Sequence, residues 1–216
     1  MISEFSWENL QFLLEATRWT ILLSLIVFIT GGIAGFLVAL LRTSRSPLLR
    51  FVSALYIQLI QGTPVLIVLF LSYYGLAIFG VKISPMIAAG LAMTIFSSAY
   101  LGEIWRGCIE GVQRQQWEAS GALAMNRYQQ LRYVILPQAV RHSLPPTVGF
   151  MVQIIKNTSI TSIIGVVELT RAGQLVSNAT FQPFIIFPVV ALIYFVMCYP
   201  LSRYSHSLER KFHAHR

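Results

Sequence analysis

The 216-residue chain contains no aspartate at all, so its acidic groups are eight glutamates. That absence disfavours chemistry built on an aspartate dyad or an aspartate-held metal. Charge of either sign is scarce, at 11% of residues against about 25% in a soluble domain. Only two cysteines occur, Cys108 and Cys198, far apart in sequence. Two small buried or interfacial thiols are the simpler reading, ahead of a disulfide. No G-x-x-x-x-G-K-[ST] phosphate loop is present, so the chain does not bind ATP in that way. His142, His206, His213 and His215 form no convincing metal site. The first residues, MISEFSWENLQFLLEATRW, lack a basic n-region and a small-residue cleavage site, so no signal peptide is expected. There is no internal repeat and no low-complexity tract.

What is present is apolar: 56% of the residues are hydrophobic. Such a chain is expected to be an all-α integral membrane protein, one transmembrane domain over residues 1–216. About 20 apolar residues span a hydrocarbon core as helix. Five stretches qualify, at 20–41, 59–79, 85–105, 148–167 and 184–204. Gly31, Gly32 and Gly35 in the first form a small-residue patch where another helix can approach closely. Basic residues follow the odd-numbered spans: Arg42, Arg45 and Arg50, then five arginines from Arg106 to Arg141, then Arg203, Arg210, Lys211 and Arg216. That is twelve on one side against Arg18, Lys82 and Arg171 on the other, with Lys156 inside the fourth span. The positive-inside rule then puts the N-terminus, with an outer segment at 1–19, outside and the C-terminus in the cytosol. This spread also explains the net charge of +8 better than a nucleic-acid face does. Trp7, Trp19, Trp105 and Trp117 lie near span ends, as interfacial tryptophans do.

The polar interruption at 106–143 carries Arg106, Arg114, Arg127, Arg132 and Arg141. It is too charged for lipid. Residues 118–124 are rich in helix formers and open on Glu118, whose charge suits a first helical turn. Asn126 followed by Gln129 forms a variant capping box opening a second helix at 127–136. Pro137 is expected to end or kink that helix. The surface of the first helix is small: Ala119, Ser120, Gly121, Ala122 and Ala124, with Leu123 and Met125 as larger knobs. Such a helix fits a cleft in a partner. The alternative is an amphipathic helix lying on lipid.

At this point the chain resembles a known family. Glu118-Ala119-Ser120, Ala124, and Val134, Leu136 and Pro137 match the spacing of the EAA loop of permease subunits from bacterial ABC importers. That loop reads Glu-Ala-Ala, three residues, Gly, nine residues, Ile-x-Leu-Pro. The departures are Ser120 for Ala, Ala124 for Gly and Val134 for Ile. Because Gly normally relieves the turn, Ala124 implies a less sharp break or one shifted towards Asn126. QGTP from Gln61, AYLGEIWRG from Ala99, QQWEAS from Gln115, LPQAVRHSLPP from Leu136 and KNTSI from Lys156 are similar to motifs of the polar amino-acid permeases. The family usually has Gly where Gln115 stands and Asp where Asn157 stands.

The resemblance implies a type I importer fold with five transmembrane helices and a cytosolic coupling helix between the third and fourth. It implies no cofactor on this chain, with ATP and Mg on a separate ATPase. The implied partners are ABC ATPase subunits, a second permease subunit and an external binding protein, in the bacterial cytoplasmic membrane. Glu118, Ala119, Ser120, Gly121, Ala122, Leu123, Ala124 and Met125 would seat in the ATPase groove. Glu118 would pair with a basic residue of the ATPase or with an arginine of its own loop.

Intramembrane polar residues mark the candidate solute path: Gln61, Thr63, Glu103, Lys156, Asn157, Thr158 and Ser159. A helix broken around Gly62-Thr63-Pro64 would expose backbone groups. Each candidate has a plainer role. Glu103 and Arg106, three apart on a helix, suit a structural ion pair. Lys156 suits snorkelling, and Gln61 to Pro64 suit shaping the helix alone. Asn157 removes one anionic ligand and so argues against a cationic solute. An importer for an opine or sulfur amino acid is the near alternative. A self-sufficient channel or carrier is the distant one, and an intramembrane enzyme lacks any visible nucleophile–base spacing.

Overall fold

The computed structural model describes residues 5–213. His215 and Arg216 lie outside those residues, as does the side chain of His213. The order is α1 (Trp7–Arg42), α2 (Pro47–Gln61), α3 (Val65–Ile78), α4 (Pro85–Glu110), α5 (Arg114–Ala122), α6 (Arg127–Ile164), α7 (Leu169–Thr180) and α8 (Pro183–His213). No strand occurs among the described residues.

Local chemistry sets the starts. Ser6, Ser46 and Ser84 each cap a helix by accepting from the backbone amide three residues on. Pro47 and Pro85 occupy first positions, where a missing N–H costs nothing. α1 runs unbroken from Trp7 for 36 residues, about 54 Å, so residues 7–19 belong to the same helix as the first span. Its buried stripe is Leu23, Val27, Gly31, Gly35 and Ala39, while Leu25, Ile29, Ile33 and Leu37 are exposed. A period of four with apolar residues on both faces suits a helix with protein on one side and lipid on the other.

α1, α4 and α8 are each long and apolar enough to cross a membrane, and the bent pairs α2–α3 and α6–α7 raise the number to as many as five. The second expected span, 59–79, is no single helix. α2 ends at Gln61, and α3 leaves at 102° to it. Pro64 has no N–H to continue the ladder and pushes Thr63 away from helical angles. The fourth, 148–167, is instead the far end of a helix that starts at Arg127.

Pro137 neither ends nor breaks that helix. A π-helical stretch, Gln130–Ile135, precedes it, and the Gln138 side chain donates to the Val134 carbonyl at 2.7 Å. Wider turns and a side-chain donor satisfy carbonyls that a proline leaves free.

The seam between α1 and α4 organises the rest. Gly31 lies against Ser97, Gly35 against Leu101, and Gly102 against Val38. The numbers rise together, so the two helices run parallel. A Cβ on Gly35 would stand 2.9 Å from Leu101 Cβ and 3.1 Å from the Ser98 carbonyl, inside normal contact. Gly32 is looser, with Trp105 at 3.8 Å from its would-be Cβ. α6 runs back along α4, with Trp105 donating to Thr147 Oγ1 at 2.8 Å and Tyr100 stacked on Phe150 at 5.5 Å. α8 opposes α6, with Ser205 Oγ donating to the Pro145 carbonyl at 2.7 Å. The C-terminal ends of α1, α4 and α8 therefore share one face, which also carries the α5 loop.

Candidate coupling loop and solute path

The loop is built on a small apolar anchor. Ile109 and Val112 at the end of α4 pack with Ile135 and Ala139 of α6, and Trp117 lies against this cluster. The Arg127 guanidinium stacks on the Trp117 ring at 3.8 Å. Trp117 thus fixes the loop and is no free interfacial tryptophan. Burial, and then the charge of Arg45, push the Arg127 guanidinium's pKa down.

The helix expected at 118–125 is in fact Arg114–Ala122. Glu118 sits beyond the first turn, so the helix dipole does not explain it. It accepts from Arg114 Nε at 2.8 Å, one helical turn earlier, which is the own-loop arginine pairing.

Leu123, Ala124 and Met125 are the turn. The Met125 amide donates to the Ser120 carbonyl at 3.3 Å and the Ala124 amide to Gly121 at 2.9 Å. That pair of bonds is a Schellman cap. Ala124 takes φ +57°, a conformation in which glycine is at ease and a Cβ is crowded. The break is therefore neither blunted nor moved towards Asn126. It falls at Ala124, because two cap hydrogen bonds and the next helix start outweigh one strained residue. Asn126 then closes the expected capping box, with reciprocal bonds to Gln129 of 2.9 and 3.0 Å.

The result is a turned-out surface of small residues. Glu118, Ala119, Gly121, Ala122 and Ala124 are exposed, and Leu123 projects at 76% exposure. Two of the eight candidates face otherwise. Ser120 is buried, bonded to the Trp117 carbonyl at 3.0 Å, and Met125 is half-buried. One apolar knob, not two, stands on the exposed face.

The solute-path candidates do not converge. Glu103 is held by Arg106 through bonds of 2.9 and 2.5 Å, and Arg106 also binds Glu110. This is the one-helix ion pair. Glu103 stands two residues before Trp105, whose ring N–H reaches Thr147, whereas Lys156 is roughly 13 Å further along α6 than Thr147. Thr63 Oγ1 donates to the Leu59 carbonyl at 2.7 Å, at the α2–α3 elbow beside Gln61.

Around Lys156 the hydroxyls turn to their own backbone, Thr158 to Ile155 and Ser159 to Lys156, each at 2.7 Å. Asn157 is buried and accepts from Gln153 Nε2 at 2.9 Å. Lys156 itself is exposed on a cavity of about 490 Å³ lined by Tyr194, Cys198, Tyr199 and Ser202 of α8.

One polar group escaped the sequence reading. Glu168 is fully buried. Its carboxylate accepts from the amides of Thr170 and Arg171 at 3.0 and 2.9 Å and from the Tyr194 hydroxyl at 2.8 Å. It caps α7 and ties it to α8. A lone acid just ahead of a helix is the one signal of it, and its apolar flanks hid it.

With the loop and bundle described, comparison with known proteins becomes decisive. Residues 31–213 match the family of binding-protein-dependent transport system inner membrane components. The chain belongs to this family. It is thus an integral inner-membrane permease subunit of an ABC transporter, a type of chain that is not itself catalytic.

The relatives agree along almost the whole length. A probable amino-acid ABC transporter permease, YckA of Bacillus subtilis, is 31% identical over 98% of both chains. The L-cystine transport system permease TcyB of the same organism is 38% identical, covering 89% of this chain and 83% of its own. The glutamine transport system permease GlnP of Escherichia coli is 34% identical, covering 95% and 94%. Among solved structures, an amino acid ABC transporter crystallised with histidines superposes with a TM-score of 0.89 at 33% identity, over 94% of this chain and 95% of that one. The inward-facing methionine transporter MetNI superposes at 0.76 with 17% identity, over 94% and 99%, and so supports the type I permease fold alone.

Proposed function

We propose that this permease subunit carries polar amino acids into the cell, driven by ATP that separate ATPase subunits hydrolyse. Relatives named for amino acids in general, for glutamine and for cystine support the solute class. Their similar identities do not choose among the solutes. The observation that carries the coupling half of the reading is the α5 surface, small, exposed and tipped by Leu123. A buried anchor holds that surface rigidly, and the chain itself leaves it uncovered. Residues 118–125 would seat in a groove of the ATPase, which holds the ATP and Mg. The basic ends of α1, α4 and α8 fit a cytosolic placement of this face, with the N-terminus outside. A second permease subunit, the same or homologous, would complete the pathway, and an external binding protein would deliver the solute.

The test is a pull-down of tagged chain from native membranes in mild detergent. Intact protein is expected to bring down an ABC ATPase, and the Glu118→Lys plus Gly121→Arg variant is expected to lose it. Folded, abundant wild-type chain that recovers no ATPase would overturn the coupling reading.

A further inference from the structure

The cytosol-facing ends of three separate segments meet in a basic cavity that the transport reading does not use. It has a volume of about 320 Å³ and is lined by Arg42 at the end of α1, Arg45 and Arg50 around the start of α2, and Trp117 and Arg127 of the loop. Glu110 is the one carboxylate on its wall, and that group is already bound by Arg106. Arg42 donates through Nη1 to the Arg50 carbonyl at 3.4 Å, and its charge also reaches Glu103. Its Nε is buried and meets no acceptor among the described residues. Arg127 turns its face to Trp117. Four guanidiniums thus share one cavity with a single committed counter-charge. Like charges so gathered call for an anion.

The surroundings say which kind. Leu41, Leu48 and Phe51, chain neighbours of these arginines, are exposed apolar side chains. The cavity therefore sits where a lipid-facing surface turns basic, at headgroup depth. From this we infer that it is a phosphate-binding site filled by the headgroup of an anionic phospholipid. A headgroup there bridges α1 and α2 to Trp117 and Arg127, and so pins the coupling loop to the first span. The inference goes beyond the solute question and does not depend on which amino acid moves.

The test uses the purified full chain in mild detergent, titrated with phosphatidylglycerol or phosphatidylcholine of identical chains and read by native mass spectrometry. Phosphatidylglycerol is expected to be retained in clear preference. Arg45→Ala plus Arg50→Ala removes two exposed side chains and is expected to weaken that retention roughly thirtyfold, with an unchanged unfolding midpoint. Arg203→Ala plus Arg210→Ala removes the same charge from α8 and is expected to leave it unchanged.

Equal retention of both lipids, or equal loss in both double variants, overturns the site. Inorganic phosphate is the further probe. Binding as tight as that of phosphatidylglycerol, and lost in the same double variant, keeps the phosphate site and overturns its lipid source. Loss of the lipid whenever the ATPase co-purifies assigns the arginines to that protein and overturns the proposal.

Discussion

The α1–α4 seam and the α5 loop are built by opposite means. In the seam, side chains are withheld. Gly31, Gly35 and Gly102 let two backbones close to distances at which a single added Cβ collides. In the loop, side chains are supplied. Trp117, Arg127, Asn126 and Gln129 fix a short helix whose outer face is then left bare. The seam is complete without any partner. The loop is complete only in its geometry, since its exposed Leu123 contributes little to the packing of its own chain. Rigid walls and a presented surface are the two things that the proposed coupling to an ATPase requires.

The seam offers the largest effect. Gly35→Val forces the Leu101 side chain and the Ser98 carbonyl to give way. Overpacking of this kind costs about 3 kcal/mol, a fall of roughly 10 °C in the unfolding midpoint of detergent-solubilised protein. Gly90→Ala is the control: it sits on α4 with nothing within 4 Å of its would-be Cβ, and its midpoint is expected to hold or rise. Equal falls in both variants would mean that the seam is not special. A smaller loss comes at the α7 anchor. Glu168→Ala leaves two amides and the Tyr194 hydroxyl without their acceptor, at about 2 kcal/mol. Glu168→Gln keeps an acceptor oxygen and is expected to show less than half that shift by the same melt.

These two regions were not equally legible in the sequence. The seam was visible as Gly31, Gly32 and Gly35 in an uncharged apolar run, although its partner on α4 was not. The capping box at Asn126 was readable because it depends on residues three apart. The course of α6 through Pro137 was not, because a lone proline says nothing about the π turns and the Gln138 side chain that accommodate it. Ala124 misled for the same kind of reason. Its propensity argues against φ +57°, and only the two cap bonds of the folded turn override it. The elbow at Gly62-Thr63-Pro64 was legible as a break but not as a turn of 102°, since the angle is set by packing on α4. The arginine cavity needed three distant segments to be brought together, which no spacing along the chain encodes.

Ala124 also sharpens the comparison, because there a side chain is present where the family has none. Ala124→Gly is expected to stabilise the turn by about 1 kcal/mol, seen as roughly fivefold slower amide exchange at residues 123–126. Ala124→Val is expected to speed that exchange. The unfolding midpoint should barely move in either case, because the turn is exposed and the seam carries the global fold. A large shift in the midpoint would show that loop and seam unfold as one unit.

The smallest effect on stability separates the two regions most cleanly. Arg114 and Glu118 pair across one turn with side chains 90% and 63% exposed. Such a pair contributes a few tenths of a kcal/mol at most. Glu118→Gln and Arg114→Ala are both expected to melt like wild type. Their effects on ATPase recovery should nonetheless differ. Glu118→Gln removes a charge on the presented face and is expected to reduce the recovered ATPase severalfold. Arg114→Ala leaves Glu118 in place and free to meet a basic group of the partner. If both variants lose the ATPase equally, Glu118 acts through its own loop, and Arg114 is the residue that orients it. If only Glu118→Gln loses it, the carboxylate faces the partner, and the ion pair with Arg114 is the resting arrangement that docking exchanges for another.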